Sequence, residues 1–328
     1  MRAAIYERTG SARDVLSIAE IPTSRPGSGE VRVKLEWSGV NPSDVKARAG
    51  TRVKTPPFPR IIPHSDGAGV IDEIGPDISR SRVGERVWLW NAAWQRPFGT
   101  AAEYVVLPSC QAVKLPANVD LAVGACLGIP ALTAYYAINV DGGVIGKRVL
   151  VAGGAGAVGH YAIQFARLLG AKQIVSTVSS PEKAALALSA GADIVLNYKT
   201  EDINARVQEE TSGRGIDRIV EVDLANNIST NLQVLRANGD IVIYGSNEPE
   251  VAVPFFPMIQ KNVGLRFFIV YNLDPDIRGC AIDHLTAILE GGNLIHNIAA
   301  RLPLESIAEA HEFVEGGRAI GNVVLSIN

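Results

Sequence analysis

A chain of 328 residues, 47% apolar and 20% charged, has the length of two ordinary domains and the composition of a water-soluble globular protein. A net charge of −3 provides no basic stripe for nucleic acid or an anionic membrane. Cys110, Cys126 and Cys280, with no CxxC pair, form neither a disulfide framework nor a zinc knuckle, and point to a reducing, cytoplasmic setting.

The N-terminal "MRAAIYERTG" lacks the apolar core of a signal peptide. Residues 1 to 120 read as strand-rich. "EVRVKLEWSGV" alternates apolar and polar residues, "NPSD" and "PPFP" are turn signals, and "GAGVIDEIG" and "GERVWLW" are short β-rich runs. From Leu121 to Val140 no residue is charged, almost the length of a membrane span. Gly124, Gly128, Pro130, Thr133 and Asn139 interrupt it, so a buried element between domains is expected.

Residues 121 to 265 alternate in type. Strand-like "KRVLVAG", "QIVSTV", "IVLNY", "IDRIVEV" and "DIVIYGS" are separated by helix-like "AVGHYAIQFARLLGA", "PEKAALALSAGA", "INARVQEETSG" and "NISTNLQVLRANG". This order predicts a doubly wound parallel sheet, and uninterrupted apolar runs such as "VLVA" suit strands covered on both faces. Residues 266 to 328 hold two amphipathic helix candidates, "DHLTAILEGG" and "PLESIAEAHEFVEGG", and a closing strand, "NVVLSIN", that is expected to rejoin the first domain. The fold class is α/β, with a discontinuous β-rich domain (1–120 and 266–328) and a nucleotide-binding domain (121–265).

Gly154, Gly156 and Gly159 fit G-x-G-x-x-G between an apolar strand and a helix. Such glycines let backbone N–H groups approach a pyrophosphate at a helix N-terminus. The next strand end, about 20 residues on, is where an NAD site places a carboxylate. Here it reads "TVSSPEK". Ser179, Ser180 and Lys183 suit a ribose 2′-phosphate, which a carboxylate would repel, and Tyr198 can add a hydroxyl. The alternative is that a serine simply caps the helix beginning at Pro181 while Lys183 is solvated. NADPH is the expected cofactor.

The motifs "GVNPSDVKARAG", "GIPALTAYYA", "GGAGAVG" and "GADIVLNY", in this order, resemble the quinone oxidoreductases of the medium-chain dehydrogenase/reductase superfamily, and "IVEVDLANNISTNLQVL" is similar to the zeta-crystallin group. The resemblance implies a GroES-like catalytic domain, a Rossmann domain and a homodimer or homotetramer. By the same resemblance the cofactor contacts are Ala155, Gly156, Ala157, Val158 and Gly159, then Ser179, Ser180, Lys183 and Tyr198. Asn226, Tyr244, Gly245, Ser246, Asn247, Phe268, Ile269, Val270 and Asn41 complete the set. Lys46 replaces a cofactor-touching tyrosine, and Arg318 is either near the adenosine phosphate or solvated.

Zinc-dependent relatives carry cysteine where this chain has Asn41 and histidine where it has Ser65. His64 falls one residue early, so no metal site is expected, and the other histidines read as structural. Without a metal, an electron-poor quinone or enone is the expected small-molecule substrate. Asn41 is the candidate donor to developing oxyanion charge, and Asp44 either relays a proton or caps "SDVKARAG". Arg52 and Ala101 depart from the zeta-crystallin pattern. Trp88, Trp90, Trp94 and Phe98 either stack a flat acceptor or pack the core. The resemblance also raises RNA binding or a bulk structural role, which the acidic balance opposes.

Overall fold

A computed structural model describes residues 1–51 and 53–327. Arg52, one of the pocket departures, lies outside them. The chain runs β1 (Arg2–Ile5), α1 (Ala12–Val15), β2 (Ser17–Glu20), β3 (Glu30–Val40), α2 (Pro42–Ala49), β4 (Asp66–Ile74), β5 (Arg86–Leu89), β6 (Tyr104–Pro108), β7 (Ala112–Lys114), α3 (Leu121–Gly124) and α4 (Leu132–Asn139). It continues through β8 (Arg148–Ala152), α5 (Ala157–Leu168), β9 (Gln173–Val178), α6 (Pro181–Ser189), β10 (Ile194–Asn197), α7 (Ile203–Glu210), β11 (Ile216–Glu221), α8 (Leu224–Val234), β12 (Leu235–Ile243), α9 (Phe255–Gln260) and β13 (Gly264–Phe267). It closes with α10 (Pro275–Glu290), β14 (Ile298–Pro303), α11 (Ile307–Glu315) and β15 (Asn322–Ser326).

Two compact units result, 1–130 with 283–328, and 131–282. In the first, a seven-stranded sheet runs β14-β15-β3-β4-β5-β7, with β6 added on β3. β3 shows why: Val31, Val33 and Leu35 are fully buried while Arg32, Lys34 and Glu36 alternate with them, the period of a strand with one wet face. The returning β15 pairs antiparallel with β3, Val323 opposite Val40. Tail and N-terminal half therefore share one core, in which Leu304, Ile307, Val323 and Leu325 join Val31, Val33 and Leu35.

In the second unit six parallel strands run β10-β9-β8-β11-β12-β13, the order of two mononucleotide-binding halves meeting at β8 and β11. β8 and β11 are buried almost throughout, as expected of strands covered by helices on both faces. Both unit boundaries fall further along the chain than the sequence suggests, for visible reasons. Arg218 on β11, fully buried, donates to the Ile138 and Val140 carbonyls (3.1 and 2.7 Å) and pairs with Asp240 (2.6 Å). It thus satisfies the last carbonyls of α4 and ties that helix to the second unit. At the other end β13 continues the sheet, and Arg278 on α10 donates to the Val270 carbonyl at 2.6 Å. The uncharged stretch from Leu121 to Val140 is divided between the units rather than forming one element. No helix among the described residues is long and apolar enough to cross a membrane.

Candidate functional site

In the second unit the strand ends form a binding edge. After β8 the chain turns at Gly153 (φ 69°), whose N–H and that of Gly154 are held by Thr177 (3.3 and 3.2 Å). The three motif glycines have different duties. A Cβ on Gly154 would sit 2.0 Å from Ser176 Oγ, and one on Gly159 2.3 Å from the Gly153 carbonyl, so these two permit close helix–strand packing. Around Gly156 only the Gly153 oxygen, at 3.2 Å, approaches, which leaves this glycine on the open side. Gly156 is also the N-cap of α5 and offers no side-chain cap. The first-turn N–H groups of Ala157, Val158 and Gly159 are thereby free to meet an anion, beside the buried Ala155.

β9 is followed directly by Ser179 and Ser180, and the first acid after it is Glu182, in the first turn of α6. Lys183 Nζ donates to Ser179 Oγ at 3.0 Å, and Ser180 caps α6 by accepting the Lys183 N–H at 3.3 Å. Ser180 therefore caps the helix as expected, and the lysine, instead of standing free in solvent, folds back over Ser179. Tyr198, 55% exposed, follows β10 and lines a cavity of about 780 Å³ with Gly153, Thr177, Asp223, Asn226 and Asn247.

Asp223 was not legible as a site residue, yet it organises this edge. Its carboxylate accepts the Asn226 and Asn247 side-chain amides, both at 2.6 Å, and the Asn247 N–H at 3.0 Å. The amide donors of two expected cofactor contacts are thus directed to Asp223. Behind it the fully buried Glu221 accepts Asn231 (2.6 Å), Asn227 (2.9 Å) and the Asp223 N–H (2.6 Å). Tyr244 donates its N–H to the Glu221 carbonyl, and burial and then Glu221 raise its phenol pKa. A Cβ on Gly245 would lie 2.3 Å from the Val222 carbonyl, and the Ser246 hydroxyl accepts the Glu248 N–H. Phe268 packs against Tyr136 and Tyr244 (ring centroids 4.6 and 6.4 Å), followed by half-buried Ile269 and buried Val270.

The first unit holds a second, buried polar cluster. Asn41 is the N-cap of α2; its N–H is accepted by Asp44 at 2.8 Å and its side-chain Nδ2 donates to Asp66 Oδ2 at 2.9 Å. Burial pushes the Asp44 carboxyl up to about 7, opposed by hydrogen bonds from Asn41 and Ser65. His64, held at φ 77°, is fully buried, as is His311. Their Nε2 atoms are 2.9 Å apart, and His64 Nδ1 lies 2.8 Å from Ser38 Oγ, which meets Thr100 Oγ1 at 2.8 Å. Thr100 gives its proton to the Asp66 carbonyl. Ser38 then donates to Thr100 and accepts from His64 Nδ1–H, so His311 Nε2–H donates to the bare His64 Nε2. Burial lowers both imidazole pKa values, His64 to about 3, so both are neutral. Two of the five histidines, His64 and His311, which look scattered in the sequence, are paired across 247 residues.

Other expected residues lie elsewhere. Trp88 and Ala101 are fully buried in the first unit. Phe98 is exposed and borders an apolar cavity of about 440 Å³ with Phe58 and Tyr104. Arg318 lies over the Phe313 ring at 5.5 Å, and Lys46 is half-buried on α2.

Residues 27–117 match a family model described as the alcohol dehydrogenase GroES-like domain, and residues 157–287 one described as zinc-binding dehydrogenase. The human quinone oxidoreductase is 32% identical over 99% of this chain and 97% of its own length. The chain belongs to the quinone oxidoreductases of the medium-chain dehydrogenase/reductase superfamily. Within that superfamily it is also 30% identical to a 2-haloacrylate reductase of a Burkholderia species, over 99% of this chain and 98% of that one. Among solved structures it is similar to an NAD-dependent alcohol dehydrogenase (TM-score 0.91, 28% identity) and to the Escherichia coli quinone oxidoreductase complexed with NADPH (TM-score 0.88, 25% identity), each covered in full by the other.

The zinc in one family description does not fit the residues present. Asn41 commits an amide hydrogen to Asp66, Ser65 offers a hydroxyl, and both His64 nitrogens are hydrogen-bonded. Among the described residues no group of three or more His, Cys, Asp or Glu could hold a metal ion.

Proposed function

We propose that this chain is an NADPH-dependent reductase of quinones, acting without a metal. The observation that carries the reading is the end of β9, where Lys183 lies 3.0 Å from Ser179 Oγ and serines, not a carboxylate, directly follow the strand. The NADPH of the E. coli relative supports the same coenzyme here. Gly156 and the first turn of α5 would hold the pyrophosphate, with Ser179, Ser180, Lys183 and Tyr198 around the adenosine phosphate. On the nicotinamide side stand Asn226, Tyr244, Gly245, Ser246, Asn247, Phe268, Ile269 and Val270, two of them preset by Asp223. When bound, NADPH supplies a hydride. Asn41 and Asp44 are the chain's own candidates for steering charge and proton on the acceptor oxygen.

An enone is the second reading, favoured by the similarity to a 2-haloacrylate reductase. A panel of quinones and α,β-unsaturated aldehydes, read by NADPH absorbance, separates the two. Faster quinone turnover is expected, and turnover of the aldehydes alone would reassign the substrate.

The residues also support a homodimer and a reducing compartment. β13 is an edge strand, and Phe267 (60% exposed) on it and Phe255 (66%), Phe256 (73%) and Ile259 on α9 present an apolar surface in the second unit. All three cysteines are free. Net charge remains an argument against an RNA-binding role.

A further inference from the structure

Asp66, the first residue of β4, is completely buried, and its two oxygens are treated differently. Oδ2 accepts from Asn41 Nδ2 (2.9 Å) and from the Ile129 N–H (3.0 Å). Oδ1 is buried with no hydrogen-bond partner. Two glycines make its chamber. A Cβ on Gly128 would lie 2.3 Å from Oδ1 and 2.7 Å from the Leu89 carbonyl, and one on Gly39 would lie 3.1 Å from the Asp66 Cβ. A second carboxyl, Asp44, shares the Asn41 side chain. No cation is paired with either acid among the described residues. Two carboxylates in such a place cannot both stay charged, because burial and mutual repulsion each favour a proton. Asp44 collects the Asn41 and Ser65 N–H groups in addition to the Asn41 side chain, and is the better-solvated anion of the two.

We propose that Asp66 is a neutral carboxylic acid and the positioning residue of Asn41: Oδ2 is its carbonyl oxygen, Oδ1 carries the proton, and the acid fixes which way the Asn41 amide points. An amide has two orientations that differ by exchange of donor and acceptor, and a carbonyl-type oxygen facing Nδ2 selects one. The groups facing the pair are Asp44 on α2 and Cys126 after α3 at Asp66, and Tyr6 at Asp44, with Arg48 on the Tyr6 side and paired to Glu315. The inference rests on the reading that gives Asn41 a part in the reaction.

The test compares Asp66→Asn, an isostere of the neutral acid, with Asp66→Ala in the full chain. Asp66→Asn is expected to keep kcat and the NADPH KM within about threefold, since carbonyl and volume persist. Asp66→Ala is expected to lower kcat by about tenfold with the NADPH KM unchanged, the rate equivalent of one lost hydrogen bond. Two readouts are independent of turnover. The wild-type protein is expected to show an infrared carboxylic-acid C=O band that persists above the pH at which Asp44 titrates, and that at such pH Asp66→Asn removes and Asp44→Asn leaves. The Asn41 side-chain amide resonance is expected to move in Asp66→Ala and hold in Asp66→Asn. Wild-type turnover in Asp66→Ala, equal damage in both Asp66 variants, or a band that survives Asp66→Asn at that pH would overturn the proposal. A wild-type protein inactive with every acceptor would instead overturn the functional reading, and the two spectra would still decide Asp66.

Discussion

On the function proposed above, a single lysine decides between two coenzymes. Lys183 is half-buried and turned back to Ser179, so its charge is fixed at the strand end where that proposal puts a ribose 2′-phosphate. Lys183→Ala is expected to raise the NADPH KM about tenfold or more while leaving that for NADH nearly unchanged, since a hydrogen bond to a charged group contributes roughly 1.5–3 kcal/mol; equal changes in both would remove the assignment. Gly159→Ala is expected to weaken NADPH binding and lower Tm together, because the new Cβ would meet a backbone oxygen at 2.3 Å, and equilibrium fluorescence with a melting curve checks both. The glycine loop and the missing acid were legible because each depends on neighbours in sequence. Asp66 and His311 were not, because their partners lie on other elements, and Asp223 was not, because Asn247, which it holds together with the nearby Asn226, is 24 residues away. The one local hint was Asp66 itself, an acid set before Gly67, Ala68 and Gly69 in "SDGAG".

At the scale of the element, α2 couples capping to charge. Asn41 caps it and Asp44, at the third helical position, returns the bond to the Asn41 N–H, a pairing foreshadowed by N-P-S-D. The Asp44 carboxyl titrates in the fold at about 7, above its ordinary value of 3.8. The native state therefore binds its proton more tightly than the unfolded chain does. This favours folding fully below about pH 4, and the contribution is lost as pH rises toward about 7. Asp44→Asn is expected to flatten that loss, by at most about 1.4 kcal/mol per pH unit, in urea unfolding series at several pH values. A wild-type slope unchanged in the variant would contradict the burial argument. The parallel strands and crossover helices were readable from apolar runs between glycines. The β1–β2 pair and the attachment of α4 were not, since four-residue strands lack a period and α4 is fixed by Arg218, about 80 residues away in sequence.

For the whole molecule, one chain returns to finish the sheet it began, and the second unit presents an exposed edge. If β13 and α9 form a subunit interface, Phe256→Asp is expected to halve the mass measured by light scattering, while an unchanged mass would place the contact elsewhere. The return of β15 to β3 was legible as a strand following two amphipathic helices. Subunit assembly leaves no comparable mark in sequence, because nothing local tells an exposed phenylalanine from a buried one. The central claim is that hydride comes from a 2′-phosphorylated coenzyme and needs no metal. It is tested most directly by comparing kcat/KM for NADPH and NADH with one quinone acceptor, with and without a strong chelator. We predict an NADPH preference of about tenfold or more that the chelator leaves intact. Equal use of NADH, or activity lost to the chelator and restored by zinc, would contradict the account.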